Sequence, residues 1–216
     1  MSLTSSPSDL LTNLVNTSNL FLNTLSNYLA WTFGLGLVLI LIHCVNQFLL
    51  GKKLYIFGLL PRRLVGLPGI IFSPFLHQDF GHLIFNLIPL WMLTNLVLMM
   101  GWVAYVWVSL LLIFSSGLLL WLFGRSALHI GASGLIVAYW GFLLMSLSGG
   151  LSFQTILTIF VCLYYFGGLL FSILPTDRYV SWEGHLFGLI SGLGLGYEWF
   201  HDHGHGLVLI TQWFFK

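Results

Sequence analysis

The sequence predicts an all-α membrane protein whose chain crosses the bilayer six times. The first observation is composition, because 58% of the 216 residues are apolar and only 6% are charged, against roughly 25% in an ordinary soluble domain. The second is length, because six apolar stretches approach the 20 or so residues that a membrane-spanning helix needs. The third is that no polar stretch is long enough to bury a core of its own. We therefore expect one membrane-embedded helical bundle without a separate soluble domain.

The N-terminal segment, residues 1–28, carries one charged residue, Asp9. Its apolar residues approximate a helical stripe opposite a row of asparagines; the stripe contains Leu10, Leu11, Leu14, Val15, Leu22 and Leu25. A helix with one apolar and one polar face lies flat in the membrane interface. We predict an interfacial segment at 1–28, a six-helix domain at 29–200 and a tail at 201–216.

The six spans follow from the apolar stretches, which we place at residues 29–50, 82–100, 102–123, 133–147, 153–174 and 185–200. The loop between the first two spans is the longest connection, and it is apolar although it contains Lys52, Lys53, Arg62 and Arg63. Such a segment is predicted to dip into the membrane interface with its backbone covered by protein.

Alternation of the chain across the membrane brings three polar positions together. The second, fourth and sixth spans run in the same direction, so their N-terminal ends share one face of the membrane. These ends carry His82 with Asn86, then Ser133, then His185. Ionisable groups inside a membrane mark functional sites, because burying them without partners is costly. The convergence predicts a functional site at this face.

The residue types at this site suit hydrolysis of an amide bond. Such a reaction needs a nucleophile, a base and donors for an oxyanion. Ser133 supplies a hydroxyl, His185 a base that titrates in the useful range, and Asn86 and His82 share a helix face as donors. Glu183 is the nearest carboxylate but is expected to point elsewhere, so a dyad is the simpler interpretation. A structural alternative is that Ser133 only caps or packs a helix.

Small residues provide a way to bring two of these spans into contact. Glycines recur every four residues along the sixth span, at Gly184, Gly188, Gly192 and Gly196. The fourth span has a matching smooth face at Gly134, Ala138 and Gly141. Such faces allow close backbone approach, so packing them together is predicted to place Ser133 beside His185.

Three motifs in this chain resemble the signatures of the rhomboid intramembrane serine proteases. They are His77-Gln-Asp-Phe-Gly-His82-Leu-Ile-Phe-Asn86, Gly131-Ala-Ser133-Gly and Gly184-His185-Leu-Phe-Gly188. The resemblance implies a six-helix bundle that cuts membrane-anchored substrates with a Ser133–His185 dyad. It also implies that Asn86 and His82 stabilise the oxyanion, that His77 supports them, and that the fifth helix gates substrate entry. Val137 stands where several members carry an aromatic residue.

The predicted function is therefore that of an intramembrane serine endopeptidase, without metal or cofactor. Its expected partners are transmembrane protein substrates and the bilayer, whereas no basic surface suggests nucleic acid; the oligomeric state stays open. The alternatives are a catalytically silent rhomboid-like protein that binds membrane helices and, third, a proton-coupled transporter. We expect His129 to contact water or loop backbone, and His201, His203 and His205 to belong to a solvated tail.

Membrane orientation is the point on which two predictions conflict. Six of the seven Lys and Arg residues fall on the active-site face: Lys52, Lys53, Arg62, Arg63, Arg125 and Arg178. The positive-inside rule puts that face in the cytoplasm. The resemblance implies cytoplasmic termini and the opposite orientation in a bacterial inner membrane. We expect the latter, because charges in a membrane-dipping loop differ from those of an ordinary short loop.

Overall fold

The computed structural model describes residues 7–150, 153–174 and 181–201 of the chain. These residues form the helices α1 (Pro7–Cys44), α2 (Gly69–Phe72), α3 (Phe80–Leu98), α4 (Trp102–Phe123), α5 (Ser133–Leu144), α6 (Phe153–Phe166) and α7 (Trp182–His201). A π-helical turn extends α1, and 3-10 turns extend α5 and α6, at Val45–Leu49, Met145–Gly149 and Gly167–Ile173. The predicted all-α class is confirmed.

Three described segments are long and apolar enough to cross a membrane, namely Ser26–Leu49, Phe80–Leu98 and Trp102–Phe123. They correspond to the first three predicted spans. The segment Ser133–Gly149 is apolar but shorter. The structure therefore supports a membrane protein with three spans by length and composition, and the count of six stays a prediction.

The first helix continues through residue 28, where the predicted interfacial segment ends and the predicted first span begins. Helix α1 runs without interruption from Pro7 to Cys44, so residues 7–28 and most of the predicted first span are one helix. The reason is local, because neither Gly nor Pro occurs between Ser8 and Phe33, and these are the residues that interrupt helices. Whether residues 7–25 lie on the membrane stays a prediction.

The first loop, residues 50–79, is folded against the segment that follows α4. The backbones of Leu59 and His129 exchange two hydrogen bonds of 3.0 and 2.9 Å, and the Arg62 N–H donates to the Trp121 carbonyl at 2.9 Å. The Arg62 guanidinium donates to the carbonyl of Gly124 at 2.7 Å. These bonds give the loop backbone partners from protein, as its predicted dip into the membrane interface requires.

The core of the bundle is built around α5. Every residue of α5 from Ile136 to Leu143 is buried, so this helix contacts neighbours on all sides. The Trp140 indole N–H donates to the Cys162 carbonyl of α6 at 2.9 Å, and the Tyr139 and Ser109 hydroxyls lie 2.7 Å apart, linking α5 to α4. The shortest predicted span is therefore the central helix.

The contact between α5 and α7 is made by backbone atoms. A Cβ atom at Gly188 would overlap the Gly134 carbonyl oxygen, and one at Gly192 would overlap the Ala138 carbonyl oxygen. A Cβ atom at Gly141 would lie 3.1 Å from the Leu189 carbonyl oxygen. The predicted packing of these two small-residue faces is confirmed.

Helices α1 and α3 pack more loosely. Between them lies an apolar cavity of about 440 Å³, whose walls include Gly36, Leu87 and Thr94. The Trp91 indole N–H donates to the Thr32 hydroxyl at 3.1 Å across this contact. Side chains, and not backbone atoms, therefore set the distance between these two helices.

Candidate active site

A cavity of about 360 Å³ opens where the N-terminal ends of α3, α5 and α7 meet. Its walls include the four residues predicted to react or to stabilise charge, Ser133, His185, His82 and Asn86, together with His129 and Ser181. The structure therefore brings together side chains from three helices and two loops. The convergence predicted from the alternating direction of the spans is confirmed for these four residues.

Ser133 is the first residue of α5 and is half-buried. The chain enters the helix through Gly131, whose φ of +121° is a conformation that favours glycine. The Gly131 N–H donates to the Ser73 carbonyl at 2.9 Å, which ties this turn to the first loop. Because the first N–H groups of a helix have no partner within it, the backbone around Ser133 offers donors next to the hydroxyl.

His185 lies in the first turn of α7 and is 8% exposed. Helix α7 begins at Trp182, ahead of the predicted start at residue 185. Ser181 provides the reason, because its hydroxyl accepts a hydrogen bond from the Gly184 N–H at 3.3 Å, which is the geometry of a helix N-cap. The Ser181 carbonyl also accepts from the His185 N–H at 3.2 Å.

His82 and Asn86 lie one turn apart on α3. This helix begins at Phe80 because the Asp79 carboxylate accepts from the His82 N–H at 2.8 Å. A Cβ atom at Gly131 would lie 2.7 Å from Cε1 of His82 and 3.7 Å from Nδ2 of Asn86. Only glycine therefore lets both side chains approach the backbone that leads to Ser133.

Asn86 has the properties of an oxyanion donor. It is 6% exposed, and its Nδ2 has no hydrogen-bond partner among the residues that the structure describes. A buried amide without a partner is costly. A hydrogen-bond acceptor that enters the cavity lined by Asn86 would supply the missing partner.

His77 lies behind the cavity rather than in its wall. Its ring is 1% exposed, its Nε2 accepts from the Ala132 N–H at 3.4 Å, and its ring centroid lies 5.3 Å from that of His82. Burial, together with repulsion from His82 and His43, lowers the pKa of His77 to about 3. A neutral His77 thus supports the turn before Ser133, in agreement with a supporting position.

The contact between His129 and Ser181 was not predicted from the sequence. Nδ1 of His129 lies 2.6 Å from the Ser181 hydroxyl oxygen, and Nε2 contacts the Arg125 carbonyl oxygen at 3.1 Å. The backbone contact was predicted, but the serine was not singled out. A serine just before an apolar helix is an N-cap signal, which could have identified it. Glu183 does not line the cavity and pairs with Arg125 at 3.4 Å.

Two further histidines, His43 and His201, lie outside the cavity wall. His43 is buried near the end of α1 with its ring centroid 4.6 Å from that of Phe80. His201 ends α7 and is exposed, whereas His203 and His205 lie outside the described residues. Within residues 7–150, 153–174 and 181–201, no three or more His, Cys, Asp or Glu side chains are grouped to hold a metal ion.

Comparison with known proteins gives two findings. The sequence model of the Rhomboid domain matches residues 61–201, which contain the whole cavity. Uncharacterized proteins of Mycobacterium tuberculosis and Mycobacterium bovis are 36% identical over 172 residues, covering 74% of this chain and 70% of theirs. An uncharacterized protein of Mycobacterium leprae is 36% identical over 140 residues, covering 60% of this chain and 55% of its own.

Proposed function

Since the chain belongs to the rhomboid family, we propose that it is an intramembrane serine endopeptidase. Its substrates are transmembrane-anchored proteins, Ser133 is the nucleophile and His185 is the general base. The observation that carries the proposal is the cavity of about 360 Å³. This cavity collects a serine, a histidine and two oxyanion donors at the adjoining ends of three helices.

The reaction follows from the roles of these groups. The Ser133 hydroxyl oxygen attacks the scissile carbonyl carbon while His185 accepts the hydroxyl proton. The carbonyl oxygen becomes an oxyanion, which receives hydrogen bonds from Asn86 and His82. His185 then gives its proton to the leaving nitrogen as the C–N bond breaks. Water attacks the resulting ester while His185 accepts a proton from it. His185 then returns this proton to the Ser133 oxygen as the ester C–O bond breaks and the new carboxylic acid leaves.

The membrane arrangement completes the proposal. Helices α5, α6 and α7 span the bilayer in addition to α1, α3 and α4, so the domain at 29–200 has six spans. The site then lies near one membrane surface, where water reaches it. Given the mycobacterial relatives, we place the protein in a bacterial inner membrane with both termini cytoplasmic. A reporter fused after Lys216 that is active only outside the cytoplasm would contradict this orientation.

The experiment that tests the function is labelling of the purified protein by a fluorophosphonate probe, together with cleavage of a model transmembrane substrate. We expect Ser133→Ala and His185→Ala each to abolish cleavage, and Ser133→Ala to abolish labelling. The double variant should lose no more than either single one, because residues that act as a unit fail together.

Ser148→Ala provides the matched control. Ser148 is exposed, and its hydroxyl donates to the Met145 carbonyl in its own helical turn at 2.7 Å, so its loss should leave labelling and cleavage intact. Full cleavage by Ser133→Ala, or a wild-type protein that neither labels nor cleaves, would contradict the proposal. The second result would favour a catalytically silent rhomboid-like protein.

A further inference from the structure

A second serine–histidine pair lines the same cavity. His129 and Ser181 contact each other at 2.6 Å, and both belong to the cavity wall with Ser133 and His185. His129 belongs to the segment 125–132, which leads to the nucleophile. Ser181 is the residue before α7, which carries the base. The contact therefore connects the two halves of the reacting pair.

Donor and acceptor roles in this contact are determined by its neighbours. The Arg125 carbonyl can only accept, so the His129 ring carries its proton on Nε2 and donates there. Nδ1 is then an acceptor, and the Ser181 hydroxyl donates to it. The same hydroxyl oxygen accepts from the Gly184 N–H at 3.3 Å. Burial lowers the pKa of His129, which keeps the ring neutral and this arrangement intact.

Both ends of the contact are anchored. His129, four residues before Ser133 in the chain, is paired with the Leu59 backbone by hydrogen bonds of 2.9 and 3.0 Å. At the other end, the Ser181 carbonyl accepts from the His185 N–H at 3.2 Å. Ser181 therefore contacts His129 through its hydroxyl and the His185 backbone through its carbonyl.

An ion pair joins the same two segments. Nε of Arg125 lies 3.4 Å from Oε1 of Glu183, and Glu183 is 5% exposed in the first turn of α7. Arg125 contributes twice, because its carbonyl also holds the His129 ring. The ion pair and the His129–Ser181 contact therefore restrain the start of α7 against one loop.

We propose that His129 and Ser181 form a positioning pair that holds His185 in register with Ser133; this role rests on the proposed protease function. Ser181 is not the nucleophile, because the oxyanion donors His82 and Asn86 lie against Gly131, next to Ser133. The pair acts through His185. Loss of about 1 Å in alignment costs on the order of a hundredfold in rate, so the pair affects turnover more than substrate binding.

The test uses two matched pairs of variants. Ser181→Ala removes the donor, whereas Ser181→Thr keeps it. In His129→Asn the side-chain amide reaches the position of Nδ1, whereas in His129→Gln it reaches the position of Nε2 and leaves Ser181 without its acceptor. Thr32→Val is the control for loss of one hydrogen bond, because Thr32 accepts from Trp91 between α1 and α3.

We expect Ser181→Ala and His129→Gln to lower kcat by about 10- to 100-fold while KM is unchanged and fluorophosphonate labelling of Ser133 slows in parallel. Ser181→Thr and His129→Asn should keep most of the turnover, and Thr32→Val should match the wild type. Thermal unfolding identifies variants that fail to fold. If Ser181→Ala is one of them, the comparison of His129→Asn with His129→Gln tests the proposal, because both variants keep the Ser181 hydroxyl that caps α7.

Three outcomes would overturn the inference. If the wild type labels and Ser181→Ala or His129→Gln labels and cleaves equally fast, the pair does not position His185 although the proposed function stands. If Ser133→Ala still labels and Ser181→Ala does not, Ser181 is the nucleophile. If the wild type neither labels nor cleaves, the proposed function fails and the positioning role fails with it.

Discussion

The contact between α5 and α7 and the contact between α1 and α3 are built on opposite principles. Along α5–α7 the backbones touch, and a Cβ atom at Gly196 would lie 2.7 Å from the Phe142 carbonyl oxygen. Between α1 and α3 there is instead an apolar cavity of about 440 Å³. Backbone contact leaves no side-chain rotamer to adjust, whereas a cavity between side chains can be filled or collapsed.

The difference shows where this molecule needs fixed geometry. Ser133 and His185 lie on the tightly packed pair, and the proposed catalysis would depend on their alignment to a fraction of an ångström. Helix α3 belongs to both regions: Asn86 lies in the wall of the active-site cavity, and the apolar cavity begins at the next residue, Leu87. The two cavities lie on different faces of α3, since Pro89 lines the active-site cavity again.

The largest effect is expected when a leucine is introduced into the α5–α7 contact at Gly188. Gly188→Leu inserts a side chain where a Cβ atom already overlaps the Gly134 carbonyl oxygen, so the helices must separate. We expect no measurable cleavage, loss of Ser133 labelling and a lower melting temperature, since overpacking costs about 1–3 kcal/mol. Gly194→Leu is the control, because a Cβ atom there meets nothing within 4 Å. Equal cleavage, labelling and melting temperature in the two variants would contradict the inference that the α5–α7 contact determines the geometry of the site.

Asn86→Ala tests the face of α3 that lines the active-site cavity. It removes a proposed oxyanion donor, so turnover should fall by about 10²–10³-fold with little change in KM. Asn95→Ala is the matched control on the same helix, because Asn95 is also buried and its amide donates to the Trp91 carbonyl at 2.8 Å. We expect Asn95→Ala to lower stability and to leave kcat near that of the wild type. A rise in KM alone for Asn86→Ala would contradict the donor role.

The pH dependence of stability tests the contact between His77 of the first loop and the turn before Ser133. The pKa of His77 is about 3 in the folded protein, against 6.5 ordinarily, so the unfolded chain binds an extra proton between these values. Stability should therefore fall as pH decreases from about 6.5 toward 3, by up to about 1.4 kcal/mol per pH unit. His77→Gln keeps an acceptor for the Ala132 N–H without titrating. Its melting temperature should depend less on pH, and an unchanged dependence would exclude His77 as the cause.

The smallest expected effect lies in the loose contact. Gly36 borders the α1–α3 cavity, and a Cβ atom there would meet Leu87 Cδ2 at an ordinary 3.8 Å. Gly36→Ala should raise stability by about 0.5–1 kcal/mol, because alanine is the better helix former, and leave cleavage unchanged. Measurement of the melting temperature and kcat checks this. If Gly36→Ala lowered the melting temperature and kcat as much as Gly188→Leu does, the α1–α3 contact would be as tightly packed as the α5–α7 contact.

The site could be predicted from the sequence to the extent that it depends on chain direction. Ser133, His185 and Asn86 occur near the starts of spans that run the same way, so their convergence needs no knowledge of loops. The His129–Ser181 bond joins positions 52 residues apart and depends on side-chain rotamers and on where α7 starts. The unbroken α1 also escaped prediction, because the change from amphipathic to apolar composition near residue 28 was given more weight than the absence of a helix breaker there.

The hydrogen bonds of the first loop imply an order of assembly. Arg62 binds the Gly124 carbonyl across 62 residues of sequence, and Leu59 and Ser73 bind His129 and Gly131. Contacts so distant along the chain form late, because the entropy of closing the intervening segment must be lost first. During synthesis, the loop at 50–79 is made well before its partners at 121–131. A nascent chain that ends before Trp121 therefore has a first loop without these partners, and the loop is held in place only after α3 and α4 have been made.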